Sequence, residues 1–366
     1  MRRKIVLTGG HAGSTAYAVI QAIKESDLDW EISFIGTKTA IEGKDVETFE
    51  ASVFPQIGVN FYPITSGRIQ RKFTKWTIPS LLKIPAGFFQ AIEILSDLKP
   101  DAVLSFGGFT SYPVVVVAWL MRIPVLIHEQ TAAAGRANKY STYFAKKVLL
   151  ARGSSKKYFP EKKSVVIGNP ISKEILNIKP KVSTSEPTLL VTGGSRGSQV
   201  INENIEKILP DLLENYNVIH QAGLDDQKKF EKLKKTLPEN IRNKYEVFGF
   251  SKPWDWWKMI EKADVVVSRA GANSVSEFIA AKRPSLFIPI PFTYMDEQTL
   301  NAKIAEKHHL AIILKQDDLT DKTLLKVISE LMKEKDIMVK KSLQDGYNPD
   351  RTSAKELVEI LSSVIS

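Results

Sequence analysis

The 366 residues are 43% hydrophobic and 25% charged, carry a formal net charge of +10 and include no cysteine. That composition fits a folded chain with room for two domains of about 150 to 200 residues each, and it excludes disulfides, thiolate metal sites and a cysteine nucleophile. The histidines His11, His128, His220, His308 and His309 lack metal-ligand spacing. The lysines are interleaved with acids, as in 228–235, which points to phosphorylated ligands or acidic lipid surfaces and not to nucleic acid.

The basic start Met1-Arg-Arg-Lys4 has the look of a signal peptide, but the apolar run behind it ends at Thr8-Gly9, short of the ~7 to 15 residues of an h-region. Lys4–Leu7 predicts a first strand, and Thr8-Gly-Gly-His-Ala-Gly-Ser14 a glycine-rich loop into a helix over about Tyr17–Lys24. Glu31–Ile35 and Phe61–Ile64 are the next strands, followed by a basic and apolar stretch and a helix over about Pro85–Leu98. Ala102–Phe106 ends in Gly107-Gly108, and Val125–Ile127 ends in His128-Glu129-Gln130. The run Pro113–Met121 is about half the ~20 residues that cross a bilayer, so it predicts a core helix. Strands finishing in small or polar residues make one rim of a parallel sheet into a binding edge.

Gly168-Asn169-Pro170 closes this first domain, residues 1–170, and the polar, proline-flanked stretch within 171–187 predicts a linker. The pattern restarts at Thr188–Val191, with its own loop Thr192-Gly-Gly-Ser-Arg-Gly-Ser198 leading into a helix and Asn217–Gln221 as a further strand. The chain therefore reads as α/β, with two Rossmann-like domains facing across a cleft. The second covers 188–345, and residues 346–366 form a last helix that packs back on either domain.

Chemistry concentrates between Asp264 and Asn301. Asp264–Ser268 is β-branched and continuous, as a strand buried on both faces must be. Arg269-Ala-Gly-Ala272 is a turn, a helix opens at Asn273, Pro284–Ile290 supplies another strand, and a second helix starts near Asp296. Two helix N-termini at the carboxyl rim suit a diphosphate. Glu277, one turn in, can accept from a ribose diol, and Gln298 can both donate and accept with sugar hydroxyls. The plainer alternative is that Asn273 or Ser274 caps the helix and Glu277 offsets its dipole.

Neither glycine loop carries the dinucleotide fingerprint, because neither domain has an acid at the tip of its second strand, and no Gly-Lys-Ser or Gly-Lys-Thr follows either loop. The triplet Asp27-Leu-Asp29 precedes the second strand, at the wrong end of the sheet for a metal-nucleotide grip. A nucleotide would then be held by helix dipoles and basic groups such as Arg269, with no metal and no cofactor.

Read in order, Thr8-Gly-Gly-His11, Gly107-Gly-Phe109, His128-Glu-Gln130, Gly168-Asn-Pro170, Gly193-Gly-Ser195, Arg269-Ala-Gly-Ala272 through Ser276-Glu277, and Asp296-Glu-Gln-Thr299 with Asn301-Ala302 resemble the motif set of the MurG family. The match runs from residue 4 to about 305. The resemblance implies a GT-B glycosyltransferase fold and a metal-independent, inverting transfer of N-acetylglucosamine from UDP-N-acetylglucosamine to the 4-hydroxyl of lipid I, giving lipid II at the cytoplasmic face of the cell membrane. It places Thr8, Gly9 and Gly10 against the donor sugar and the acceptor diphosphate, and Gly107, Gly108 and Phe109 at the acceptor. It gives donor contacts to Thr131, Ser195 and Arg269. Ala272, Asn273, Ser274, Val275, Ser276 and Glu277 would hold the nucleotide with Glu277 on the ribose, Phe250 and Ser251 the uracil, and Gln298 the sugar.

The chain departs from the family pattern at Leu7 (usually glycine), Ser14 (proline), Thr131 (asparagine) and Ser172 (a basic residue), and is about two residues longer between Phe250 and Asp264. His11 is the candidate general base, with loop ordering as the rival role. Glu129 is the second candidate, as base, as an orienting partner or as a carboxylate capping the next helix. The stretch 68–84 interleaves cations with large apolar groups, as segments at an anionic membrane surface do, although a loop and core helix with solvated lysines read the same way. A UDP-N-acetylglucosamine 2-epimerase and a non-catalytic UDP-sugar binder are the alternative functions.

Overall fold

The computed structural model describes residues 2–10, 12–39, 47–65, 67, 77–182, 185–346 and 348–365, and of residues 77–82 the backbone only. The chain divides into two units, Met1–Ser172 with Pro349–Ser366, and Lys173–Asn348.

The first unit is built on seven parallel strands: β1 (Arg3–Thr8), β2 (Trp30–Gly36), β3 (Asn60–Pro63), β4 (Ala102–Ser105), β5 (Val125–Glu129), β6 (Lys147–Leu150) and β7 (Ser164–Val166). Their order is β3-β2-β1-β4-β5-β6-β7, so the chain reverses direction across the sheet between β1 and β4, where open α/β sheets bind ligands. Val6, Val103, Ile127 and Val148 form one face of the core with Leu95, Val114 and Val117 from the covering helices. The predicted core helix is Ser111–Leu120, buried along Pro113–Val115 and at Val117 and Ala118, while its last turn leaves Trp119 and Leu120 exposed. Among the described residues no helix is long and apolar enough to cross a membrane.

The terminal helix Ser353–Ile365 belongs to this unit and packs on the helix Gly13–Glu25. Asp350 secures the segment. Its two oxygens accept from Arg152 Nη1 and Nη2, both at 2.7 Å, and Oδ1 also accepts from Asn169 N at 2.8 Å. Gly168, at φ +88°, lies so close to Pro349 that an added Cβ would stand 2.6 Å from its carbonyl carbon, which is the physical reason for a glycine here.

The second unit has six parallel strands: β8 (Thr188–Thr192), β9 (Asn217–Gln221), β10 (Tyr245–Phe248), β11 (Val265–Ser268), β12 (Ser285–Phe287) and β13 (Ala311–Ile313), in the order β10-β9-β8-β11-β12-β13. This is the Rossmann order, with the switch between β8 and β11. Val191, Val267 and Leu286 pack with Ile205 and Leu209 of the helix Gln199–Asn215 and Ile328 of the helix Asp321–Ser342.

From Lys173 onward the stretch expected as a linker is part of this unit. The short helix Lys173–Leu176 packs against the helices Pro253–Lys262 and Ala272–Ala280. The buried guanidinium of Arg283 ties Lys179 O to Ile260 O, at 3.2 and 2.9 Å.

Candidate functional site

Three loops converge at the carboxyl ends of β8, β11 and β12. After β8, Gly194 and Gly197 sit at φ +84° and +74°, and a Cβ on Gly197 would meet Ala222 O at 2.1 Å. The loop is therefore closed to larger residues. It is pinned by Gly194 N donating to Thr192 Oγ1 at 2.9 Å, and Ser195 at its tip is exposed. Ser198 caps the following helix, accepting from Ile201 N.

After β11, the helix Ala272–Ala280 begins at Gly271 with no side-chain cap. The alternative in which Asn273 or Ser274 caps this helix therefore does not hold, and its start keeps the positive dipole end that an anion would meet. Ala272, Asn273 and Ser274 are half-buried at this end. Val275 and Ser276 are buried and face the unit's interior, so their side chains pack the helix instead of lining a surface. Glu277, only 7% exposed, accepts from Trp256 Nε1 at 2.9 Å.

Arg269 is 8% exposed, and that burial lowers its pKa from the usual arginine range. Its Nε donates to Ser198 Oγ at 3.0 Å and its Nη1 to Ile288 O at 3.0 Å. The guanidinium expected to grip a diphosphate is thus a brace joining all three loops.

The third loop carries Phe292, Met295 and Asp296 at positive φ, 66°, 55° and 51°. Such non-glycine conformations cost on the order of 1 to 2 kcal/mol each. Gln298 Oε1 accepts from Ile290 N at 2.9 Å, which fixes the amide's orientation. Asn301 Nδ2 donates to Ala270 O at 3.2 Å and joins the helix Glu297–Lys307 to the β11 turn. Phe250 and Ser251 follow β10 and are half-buried, and Ser251 Oγ donates to Lys252 O. The helix Pro253–Lys262, with its three tryptophans, follows.

In the first unit, Gly10 N donates to Gly107 O at 3.0 Å across the β1/β4 switch. Gly107 and Gly108 hold φ of +84° and +92°, and a Cβ on Gly107 would lie 2.7 Å from Asn138 Oδ1. Gly9, Gly10, Gly107 and Gly108 are therefore brought together, with Phe109 41% exposed beside them. Thr8 is not available in the same way, since it is fully buried and its hydroxyl donates to Ile35 O at 2.9 Å. His11 lies outside the described residues, as does most of 68–84.

Glu129 is 2% exposed and fully engaged. Oε1 accepts from Thr131 N at 3.0 Å and Thr131 Oγ1 at 2.9 Å, and Oε2 from Gly135 N at 2.8 Å and Asn138 Nδ2 at 3.0 Å. Four donors converge on one carboxylate, which matches the role of loop and helix-start organiser and not that of a base open to a proton. Thr131 is likewise turned toward Glu129. His128, wholly buried, has Nε2 3.1 Å from Gly168 O, and desolvation by burial pushes its pKa down to about 4, so the ring is neutral with its proton on Nε2. Asn138, Trp256 and Asp350 escaped sequence reading. Only the tryptophan cluster 254–257 gave any signal.

The glycosyltransferase family 28 N-terminal domain matches residues 5–150, and the glycosyltransferase family 28 C-terminal domain matches 188–357. A relative from Clostridium botulinum (strain Hall), a "UDP-N-acetylglucosamine--N-acetylmuramyl-(pentapeptide) pyrophosphoryl-undecaprenol N-acetylglucosamine transferase", is 32% identical over 98% of this chain and 99% of its own. The crystal structure of Acinetobacter baumannii MurG superposes with a TM-score of 0.70 at 26% identity, covering 99% of both chains. UDP-GlcNAc 2-epimerase from Neisseria meningitidis, at 13% identity and a TM-score of 0.65 over 99% of this chain and 100% of its own, shares the fold alone.

Two Rossmann-ordered sheets, each with a glycine loop at its switch point, together with both family 28 domains, define a glycosyltransferase of the GT-B class. Within that class, 32% identity over nearly the whole length of the transferase above settles the assignment: the chain belongs to the MurG family.

Proposed function

We propose that the chain transfers N-acetylglucosamine from UDP-N-acetylglucosamine to the 4-hydroxyl of the N-acetylmuramyl-pentapeptide on undecaprenyl diphosphate, converting lipid I to lipid II with inversion at the anomeric carbon. The observation that carries the reading is the uncapped helix start at Gly271 with Glu277 one turn in, beside the glycine loop of β8. Its backbone N–H groups suit a diphosphate, the carboxylate a ribose diol, and the NH2 of Gln298 sugar hydroxyls. Ser195, exposed at the loop tip, joins the diphosphate contacts, and Phe250 and Ser251 hold the uracil.

The bond from the anomeric carbon to UDP breaks as the acceptor oxygen attacks, UDP leaves with the bonding pair, and a base takes the hydroxyl proton. We assign the base to His11, next to Gly10. Glu129 is saturated with donors and His128 is buried, while imidazole as a group suits proton removal at neutral pH. No cofactor is required, since UDP-N-acetylglucosamine is a substrate.

The acceptor is lipid-borne, so the protein docks peripherally on the anionic cytoplasmic face of the membrane. Supporting this, Trp119, Leu120, Tyr140 and Tyr143 are at least half-exposed, with Arg122, Lys139 and Lys146 also exposed among them. Labelled UDP-N-acetylglucosamine with and without a short-chain lipid I analogue tests the reaction. Acceptor-dependent UDP release with label on the acceptor is expected. UDP release or a 2-epimer formed without acceptor would replace the reading with the epimerase.

A further inference from the structure

The indole of Trp256 stands against the one acidic side chain of the nucleotide-side helix, its Nε1 donating to Glu277 Oε2 at 2.9 Å. Glu277 is buried, and a buried carboxylate depends on donors to hold both its charge and its orientation. An indole N–H is a donor only, so it cannot rotate to accept in place of the carboxylate. It fixes one oxygen whatever the other binds.

The support under Trp256 is rigid. Its helix, Pro253–Lys262, starts with proline at the first turn, and Trp257 Nε1 donates back to Trp254 O at 2.9 Å. The far end is held by Arg283, which donates to Ile260 O at 2.9 Å and Glu261 O at 3.1 Å. The short helix Lys173–Leu176 packs on both this helix and the one bearing Glu277, which keeps the two in register. The same helix follows directly on Phe250 and Ser251, so a single rigid element links the base-side loop to the ribose-side carboxylate.

We propose that Trp256 is a positioning residue for ribose recognition, its indole N–H setting the Glu277 carboxylate to accept from the nucleotide's 2′,3′-diol. The inference rests on the reading of Glu277 as the ribose-binding group. Sequence patterns do not reach it, because the contact joins residues on different helices.

Calorimetric titration of the full chain with UDP and with 2′-deoxy-UDP tests it. The wild type binds UDP about tenfold more tightly, the size of a hydrogen bond to a charged group. In W256F, which keeps the ring but loses the N–H, the ratio falls toward one, because affinity for UDP drops more than that for 2′-deoxy-UDP, which presents only the 3′-hydroxyl. W256H, which restores a ring N–H, recovers part of the ratio. A W256F protein with the wild-type ratio overturns the role of Trp256 and leaves Glu277 untouched. A wild type that does not distinguish the two nucleotides overturns the ribose reading itself. If neither variant folds, as judged by thermal melting, Trp256 is a structural residue and the proposal fails.

Discussion

Arg269 Nε donates to Ser198 Oγ at 3.0 Å, joining the end of β11 to the cap of the helix that follows β8. Its Nη1 reaches Ile288 O at the end of β12, so one buried guanidinium holds three loops in place. A lysine keeps the charge but cannot fork between those partners. We therefore expect R269K to raise the KM for UDP-N-acetylglucosamine about tenfold and to lose about 1 to 3 kcal/mol of stability, measured by initial rates and urea unfolding. Wild-type values in R269K would mean that charge alone matters at this position.

Glu129 and His11 separate by the kind of damage their loss causes. E129A strands the N–H groups of Thr131 and Gly135 and the amide of Asn138, at about 1 to 3 kcal/mol for each donor that water cannot reach. The melting temperature falls together with activity. H11A, if His11 is the base, lowers kcat by about 10²-fold or more with the melting temperature unchanged. Turnover intact in H11A would remove it from the chemistry.

The sequence showed the sheets well where strands are continuous and β-branched, as at β1, β8 and β11, and it showed the glycine loops because positive φ and close backbone approach leave only glycine. It missed β6, β10 and β13. These strands carry at most two β-branched residues each, in Lys147–Leu150, Tyr245–Phe248 and Ala311–Ile313, so no continuous β-branched run marks them. The site was legible as motifs but not as roles. Thr8, Arg269 and Glu129 stand where a ligand contact was expected, yet Glu129 is engaged with the loop and helix start that directly follow it, and Thr8 and Arg269 with partners from distant stretches of chain. Such long-range pairing leaves no local pattern.

The terminal segment depends on one carboxylate. Asp350 is buried and receives both Arg152 and Asn169 N, and removing one partner of a buried pair costs about 3 to 5 kcal/mol because the other charge is left behind. D350A should lower the unfolding free energy by that order and expose the helix Ser353–Ile365 to proteolysis. The double variant D350L/R152M should recover much of the loss. An unaltered urea midpoint in D350A would refute the latch.

His128 and His220 predict an acid-labile fold. Burial depresses their pKa values from 6.5 to about 4 and about 3. The native state keeps them neutral while the unfolded chain takes up protons below pH 6.5. Stability is therefore complete above that pH and declines as the pH falls toward about 4 for His128 and about 3 for His220. Glutamine at 128 retains an N–H donor for Gly168 O and does not titrate. Urea midpoints of H128Q should accordingly fall less steeply than wild type between pH 6.5 and about 4, and parallel curves would exclude His128 as a contributor.

Trp119 and Leu120 close the helix Ser111–Leu120 at 50% and 64% exposure. One edge of Trp119 packs on Phe144, ring centroids 5.2 Å apart, and the rest of the indole faces outward. Burying a side chain of this size is worth about 1.5 to 3 kcal/mol, and each cation near an anionic surface adds on the order of 1 kcal/mol. W119S/L120S should thus weaken co-sedimentation with phosphatidylglycerol vesicles about tenfold or more, while transfer to a soluble short-chain acceptor stays at the wild-type rate. Binding that is the same in the variant, or that ignores the phosphatidylglycerol content, would mean that a different surface meets the membrane.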